Sequence, residues 1–202
     1  MSGLDAQEEM NKRNISLPLI FITGHGDVPM AVKALKLGAF DFIEKPFNDP
    51  KKYKENISVI KRHGIDVSTE MMIGLDGDDN SVFNRTYDFI MNNRITTPRI
   101  HIFTPIPGTP VYEELEKENR IIHKDFRLYS GGNVVFKPRN INIEVLEKNY
   151  WRLYQKLFSI RSIWKRLHRN EASLGVVMRA FVLGVNFHYR NHIHRGICPG
   201  IV

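Results

Sequence analysis

The sequence predicts a parallel α/β fold followed by a helical tail. Short apolar runs that end at glycine or proline alternate with amphipathic helical patterns, as at 65–73 and 99–103. The spacing between successive runs leaves room for a crossover helix, which parallel strands require. We therefore expect the strands near residues 20, 42, 70 and 101 to lie in one parallel sheet, with ligands gathering at the carboxyl ends of the strands.

Composition and charge limit the protein class. The chain has 202 residues, of which 42% are hydrophobic, enough for one large or two small domains, and its net charge is +7. No apolar run approaches the roughly 20 residues needed to cross a bilayer. The first residues lack the basic-then-apolar order of a signal peptide, so we expect a cytoplasmic protein without a membrane span.

The first 49 residues contain a strand, a helix and a second strand. Residues 17–23 and 40–44 have strand patterns, and 28–37 form an amphipathic helix that Gly38 ends. With the intervening loops, these segments resemble the second half of a response-regulator receiver domain. The matching motifs are Ile-Phe-Ile-Thr-Gly-His-Gly-Asp-Val-Pro-Met-Ala-Val, Gly-Ala-Phe-Asp-Phe and Glu-Lys-Pro-Phe.

The receiver resemblance implies three phosphoryl-switch remnants. Thr23 would be the hydroxyl that hydrogen-bonds the phosphoryl group, and Phe42 the aromatic ring whose rotamer reports phosphorylation. Lys45 would be the ammonium that pairs with the phosphoryl oxygens. The phospho-accepting Asp of the family would precede Met1, so we expect no phosphorylation of this chain.

Residues 50–140 continue the β-α pattern. A helix begins at Pro50, a strand covers 65–73, and Asp78 or Asp79 is placed to cap the next helix. A strand at 99–103 and a short helix at 111–117 follow. Residues 131–136 look like a turn into a last strand near a sheet edge.

Two of these strand ends resemble the fifth and sixth strands of radical S-adenosylmethionine enzymes. Segment 71–79 carries Ile-Gly-Leu-Asp-Gly, and segment 100–112 carries Pro-Gly-Thr-Pro-Val-Tyr. The resemblance, which extends to the tail of the cobalamin-binding type, implies a partial TIM-type barrel that lines S-adenosylmethionine. The implied cofactor-binding residues are Gly74, Asp76, Gly77, Pro107, Gly108 and Thr109. The alternative is that these are ordinary strand-to-helix turns.

The cysteine count argues against a complete enzyme of that kind. The parent family holds a 4Fe–4S cluster on a Cys-x3-Cys-x2-Cys motif, but this chain has one cysteine, Cys198. We therefore assign no catalytic residue and expect no cofactor for this chain alone. The implied partner is the missing N-terminal barrel half, with the cluster loop and any cobalamin domain.

Two sets of side chains invite a metal-site hypothesis. Asp76, Asp78 and Asp79 lack the alternating spacing and distal Glu of a calcium loop, and they suit a helix N-terminus better. His188, His192, His194 and Cys198 match no common zinc spacing. We expect no metal at either place.

The tail is strongly basic. Between residues 152 and 195 one acid, Glu171, faces nine basic residues: Arg152, Lys156, Arg161, Lys165, Arg166, Arg169, Arg179, Arg190 and Arg195. Interleaved aromatic residues admit a nucleic-acid surface. The helical spacing of Leu153, Leu157, Ile160, Ile163 and Leu167 instead favours one amphipathic helix with a buried stripe, and we prefer structural docking to nucleic-acid binding.

The sequence thus predicts three parts: a partial receiver segment (1–49), a partial radical S-adenosylmethionine barrel half (50–140) and a basic helical tail (141–202). The first functional hypothesis is a fragment derived from radical S-adenosylmethionine enzymes, without catalysis of its own. The second is a response-regulator-like interaction module whose face at 28–47 binds a receiver-type signalling partner.

Overall fold

A computed structural model of the protein describes residues 3–13, 20–23, 33, 36–37, 41–44, 50–168 and 175–199. The chain divides into two units, unit 1 (Met1–His63) and unit 2 (Gly64–Val202). The receiver-to-barrel boundary expected after residue 49 stays a prediction.

The described residues of unit 1 form a two-stranded parallel sheet and two helices of defined extent. The helices are α1 (Gly3–Lys12) and α2 (Pro50–Arg62), and the strands are β1 (Ile20–Thr23) and β2 (Asp41–Glu44). Ile20 pairs with Asp41 and Thr23 with Glu44. The predicted strands are therefore confirmed over the described residues, and α2 begins at Pro50 as expected. Helix 28–37 lies largely outside the described residues, and Gly38 lies wholly outside them.

Unit 2 has a second parallel pair and a set of helices. The strands are β3 (Ser68–Ile73) and β4 (Thr97–Ile102), which pair from Ser68–Thr97 to Ile73–Ile102. The helices are α3 (Val82–Asn92), α4 (Pro110–Lys117), α5 (Ile143–Leu157), α6 (Ile160–His168) and α7 (Val176–His194), with a 3-10 turn at Phe126–Leu128.

The core of unit 2 lies on one face of the β3–β4 pair. Ile73, Ile100 and Ile102 are fully buried there. The Tyr154 hydroxyl of α5 accepts a hydrogen bond from the Ile100 amide (2.8 Å) and lies 2.7 Å from the Ile100 carbonyl oxygen. Buried backbone N–H and C=O groups need hydrogen-bond partners. The Tyr154 hydroxyl is a partner of both groups of Ile100, and it thereby joins α5 to the centre of β4.

The single sheet expected from the sequence is wrong for the described residues, which form two two-stranded sheets. The last strand expected at 131–136 is wrong as well. Only one antiparallel bridge forms there, between Ile121 and Phe136, and the Gly131 carbonyl oxygen accepts a hydrogen bond from the Ile102 amide at 2.7 Å. The left-handed φ of Gly131 (73°) turns the chain, which prevents an extended run from continuing along β4.

The capping of α3 differs from the expectation. Ser81, not Asp78 or Asp79, occupies the N-cap position. A turn in which the Asp78 amide bonds the Leu75 carbonyl (2.9 Å) directs the Asp78 carboxylate back to the strand end. Asp79 instead accepts the Ser81 amide at 2.8 Å.

The tail is broken where one helix was expected. Helix α5 ends at Leu157 and α6 restarts at Ile160, with the Ser162 amide bonding the Ser159 hydroxyl at 3.3 Å. The break rotates the second part, so Leu153, Leu157 and Ile163 are buried but Ile160 is 63% exposed. Ile160 therefore does not belong to the buried stripe.

Candidate functional site

The two loops that carry the predicted cofactor-binding residues leave one edge of the β3–β4 pair. The strands end in register at Ile73 and Ile102, and the Phe103 amide bonds the Ile73 carbonyl at 2.8 Å. The loop after β3 holds Gly74, Asp76 and Gly77, and the loop after β4 holds Pro107, Gly108 and Thr109. The carboxyl edge of a parallel pair is where α/β proteins place ligands.

Gly74 is required by packing inside unit 2. Its φ is 85°, and an added Cβ would lie 2.9 Å from Cδ2 of Leu146 on α5. The Asp78 carboxylate accepts hydrogen bonds from the Gly74 and Leu75 amides at 2.9 and 3.1 Å. The backbone of Gly74 therefore approaches a helix closely, and its amide is already hydrogen-bonded.

Asp76 is the centre of an ion-pair network that joins three segments. Its carboxylate accepts from Arg120 (2.7 Å for one of two bonds) and from Arg139 (3.1 Å), and both guanidiniums also contact Glu118. Asn140 donates to the Asp76 carbonyl oxygen at 2.6 Å. The Arg120 hydrogen bond is the main reason that the pKa of Asp76 lies below its usual range.

Gly77 and Gly108 face open space. A Cβ at either position would meet no atom within 4 Å. Gly108 has a φ of 82°, as a tight turn requires. Thr109 then caps α4: its hydroxyl donates to the Ile106 carbonyl (2.6 Å) and accepts the Tyr112 amide (3.4 Å), next to Pro107 and Gly108 in sequence. These turns leave backbone accessible at the strand edge.

The face of the β3–β4 pair opposite the core is not covered by the helices of unit 2. Met72 is 53% exposed on this face, and Glu70 pairs with Arg99 across the strands at 2.5 Å. Parallel sheets are normally covered on both faces. We call this surface, defined by Glu70, Met72 and Arg99, the open sheet face.

His101 is a residue of this region that sequence reasoning missed. Its ring packs on Gly131, where a Cβ would lie 3.0 Å from Nδ1, and Nδ1 is buried with no hydrogen-bond partner among the described residues. Burial lowers the pKa of His101 below its ordinary value. Its place in an alternating strand, between Ile100 and Ile102, is the only signal that the sequence carried.

The residues predicted to be phosphoryl-switch remnants belong to unit 1. Thr23 ends β1 and pairs with Glu44, the last residue of β2, so both strands end at one edge. Phe42 pairs with Phe21 in the same register. Lys45 follows Glu44 in sequence and lies outside the described residues.

The tail side chains do not assemble a metal site. The rings of His188 and His192 lie 4.1 Å apart, whereas the Cys198 sulfur lies 2.9 Å from the Tyr150 hydroxyl. Burial raises the pKa of the Cys198 thiol, which disfavours a thiolate ligand. Over the part of the chain that the structure describes, no three His, Cys, Asp or Glu side chains are grouped as metal ligands would be.

Arg166 is a basic residue of the tail that lies in the core. It is fully buried and donates to the carbonyl oxygens of Ile95 and Thr96 (3.0 Å each) and of Leu157 (2.9 Å). Asn186 of α7 accepts a further bond at 3.1 Å. Burial lowers the pKa of Arg166 to about 10. Its role is to join α5, α6 and α7 to the residues that precede β4.

Within the described residues, no helix combines the length and apolar character needed to cross a membrane.

Comparison with known proteins confirms the receiver-type resemblance at the N-terminus. Residues 1–58 match the response regulator receiver domain family. The chain is 57% identical over 49 residues to response regulator protein TodT of Pseudomonas putida, which covers 24% of this chain and 22% of the relative. It is 28% identical over 172 residues to a putative NtrX-like response regulator of Rickettsia bellii, covering 82% of this chain and 35% of the relative.

A third relative is named as a methyltransferase rather than as a response regulator. The chain is 33% identical over 125 residues to bacteriochlorophyllide d C-12(1)-methyltransferase of Chlorobaculum tepidum, which covers 62% of this chain and 27% of that protein. An alignment of this length exceeds unit 1, so it extends into unit 2. The chain spans between 22% and 35% of the length of these three relatives. It is thus a receiver-type segment joined to a second α/β unit.

Proposed function

We propose that the chain acts as a response-regulator-like interaction module that binds a two-component signalling partner. The observation that carries this proposal is the register of β1 and β2 within a segment that matches the receiver family. Thr23 and Glu44 end neighbouring strands at one edge, which is where the receiver resemblance places the switch residues Thr23 and Lys45.

The partner-binding face is the segment 28–47 between and after these strands. Two of its lysines are described: Lys33 pairs with Glu8 of α1 at 2.9 Å, and Lys36 is exposed. The α1 residue Asn11 also donates to the Leu37 carbonyl at 2.8 Å. These contacts place Lys33 and Leu37 beside α1.

The test is calorimetric titration of the full chain with histidine-kinase phosphotransfer domains and receiver-type output domains. We expect binding to at least one of them, weakened about tenfold or more by Lys36→Glu because a surface charge is reversed at the contact. Lys148→Glu, an equally simple charge reversal on an exposed residue of α5, is the matched control. Binding to none of the domains, or equal loss in both variants, would remove this function.

A second candidate function is favoured by the methyltransferase relative and by the two loops at the β3–β4 edge. In this candidate, unit 2 derives from a radical S-adenosylmethionine enzyme. It keeps part of the cofactor-binding rim, which is formed by the loops after β3 and β4. The residues present do not fit the family's iron–sulfur cluster, because the chain supplies one thiol where three are needed. Autonomous catalysis is therefore not proposed.

This candidate requires accessible residues in the loops after β3 and β4 and a partner that covers the open sheet face. The accessible part of the rim is Gly77 with Gly108 and Thr109, since Gly74 and Asp76 are engaged by α5 and by arginines. The open sheet face would be covered by the N-terminal barrel half as partner, as parallel sheets require. A cobalamin-binding domain would belong to that partner.

Nuclear magnetic resonance titration with millimolar S-adenosylmethionine tests the candidate. We expect amide shifts confined to the loops after β3 and β4, reduced by Gly77→Val. Gly184→Val, another glycine whose Cβ would meet nothing within 4 Å, is the control. A spectrum unchanged by S-adenosylmethionine would show that the loops after β3 and β4 do not bind this cofactor.

A further inference from the structure

Large exposed apolar side chains of unit 2 concentrate on α6 and α7. They are Ile160, Trp164, Val176, Val177, Met178, Phe181, Leu183 and Phe187. Val176 and Val177 are 85% and 84% exposed. Single exposed apolar residues are ordinary, but a contiguous group of this size marks an interaction surface.

The first half of α7 is apolar on the side that faces away from the core. Val182 and Asn186 are buried and define the core side of the helix. At about 3.6 residues per turn, Val177 and Phe181 project from the opposite side. A helix that is apolar on both sides is suited to an apolar surrounding rather than to water.

A small ligand would cover only part of this surface. A cleft of about 550 Å³ lies between α6 and α7, and its walls include Ile163, Trp164, Leu183 and Phe187. Val177, Met178 and Phe181 are not among its lining residues. An occupant of the cleft alone would therefore leave Val177, Met178 and Phe181 exposed.

The charges around the apolar side chains are of one sign. The described residues from 160 to 199 include no Asp or Glu. Their Lys and Arg side chains are Arg161, Lys165, Arg166, Arg179, Arg190 and Arg195. Arg161 and Lys165 are exposed beside Trp164 on α6, and Arg179 lies within the apolar part of α7. Basic residues interspersed with Trp, Phe and Val are complementary to a surface of anionic headgroups over an acyl layer.

We propose that the α6–α7 face, defined by Trp164, Val177 and Phe181 with Arg161 and Lys165, docks the chain onto an anionic lipid surface. The three apolar side chains enter the boundary between headgroups and acyl chains. The two basic side chains meet the headgroup phosphates, with their aliphatic stems along the apolar layer.

The experiment is co-sedimentation of the full chain with vesicles of phosphatidylcholine alone and of phosphatidylcholine with about 30% phosphatidylserine. Anionic vesicles should retain about tenfold more protein than neutral ones, and high salt should reduce the difference. Phe181→Glu should reduce retention about tenfold or more because it places a negative charge at the apolar boundary. Phe126→Glu is the matched control, since Phe126 is 63% exposed and Phe181 is 65% exposed.

The outcomes separate the possible occupants of the face. Retention that depends on phosphatidylserine, is lost in Phe181→Glu and is kept in Phe126→Glu supports the proposal. Equal retention of the two variants, or no retention by anionic vesicles, overturns it. If sedimentation velocity without lipid shows a dimer that Phe181→Glu dissociates, a second copy covers the face and the lipid proposal is wrong. Circular dichroism of each variant checks that the helices remain folded.

Discussion

Gly74 lies directly against Leu146, so close that a Cβ on Gly74 would be 2.9 Å from Cδ2 of that leucine. This contact joins the end of β3 to α5. It gives a residue first interpreted as a cofactor neighbour a packing role, and that role can be measured.

Gly74→Ala should destabilise unit 2. The φ of 85° is unfavourable for any L side chain, and the new methyl group would overlap Leu146. We expect the free energy of unfolding to fall by about 1–3 kcal/mol in urea titrations. Gly77→Ala, three residues later with open space around its Cβ, should change the free energy of unfolding by less than about 0.5 kcal/mol. Equal effects would contradict the packing role.

Asp76→Asn should weaken unit 2 in a pH-dependent manner. Because the arginine contacts hold the folded-state pKa of Asp76 below its unfolded value, its contribution to stability is present above the unfolded pKa of about 4. That contribution is lost as the pH falls through the folded pKa. The carboxylate is partly exposed, so the loss at pH 7 should be only about 1 kcal/mol.

Urea midpoints of the wild type and Asp76→Asn at pH 7, 5, 4 and 3 check this prediction. The difference between them should be largest at pH 7 and should shrink below about pH 4. Asp88→Asn, on the exposed side of α3, serves as the control substitution. A difference that is constant across this range would rule out the ion-pair explanation.

His101 should titrate below the ordinary histidine pKa of 6.5. Burial disfavours the imidazolium, and Arg99 adds to this effect while Glu70 opposes it. The unfolded chain therefore binds more protons than the folded chain just below pH 6.5, and stability should decrease as the pH falls through that range. The imidazole resonance of His101, assigned by its absence in His101→Gln, gives the midpoint directly. A midpoint at or above 6.5 would mean that the ring is not desolvated.

Arg166→Met should be among the most damaging substitutions in unit 2. It would leave the buried carbonyl oxygens of Ile95 and Leu157 without their donor. We expect the free energy of unfolding to fall by about 2–5 kcal/mol. Arg166→Lys should recover little of this loss, because one ammonium cannot reproduce the guanidinium fork.

Arg161→Met, on the exposed side of the same helix, provides the comparison for Arg166 and should stay within about 0.5 kcal/mol of the wild type. Thermal unfolding followed by circular dichroism and urea titration measure both variants. Similar free energies of unfolding for Arg166→Met and Arg161→Met would show that the buried guanidinium of Arg166 does not stabilise unit 2.

Local patterns in the sequence were sufficient for β1 to β4, α2 and α4. The alternating and apolar runs predicted β1 to β4 to within a few residues, Pro50 marked the start of α2, and the short helix expected at 111–117 is α4. These features depend on backbone preference and side-chain period, which neighbouring residues determine. The receiver-type motifs of residues 1–49 were recognisable for the same reason.

Long-range contacts decided the rest. Asp76 meets Arg120 and Arg139 from distant segments, Arg166 turns inward to carbonyl groups, and the described strands pair two by two. The sequence determined which segments are strands and helices and that one thiol cannot hold an iron–sulfur cluster. Only the tertiary structure decided which charges are buried and which apolar faces stay uncovered, because burial depends on partners that sequence spacing does not specify.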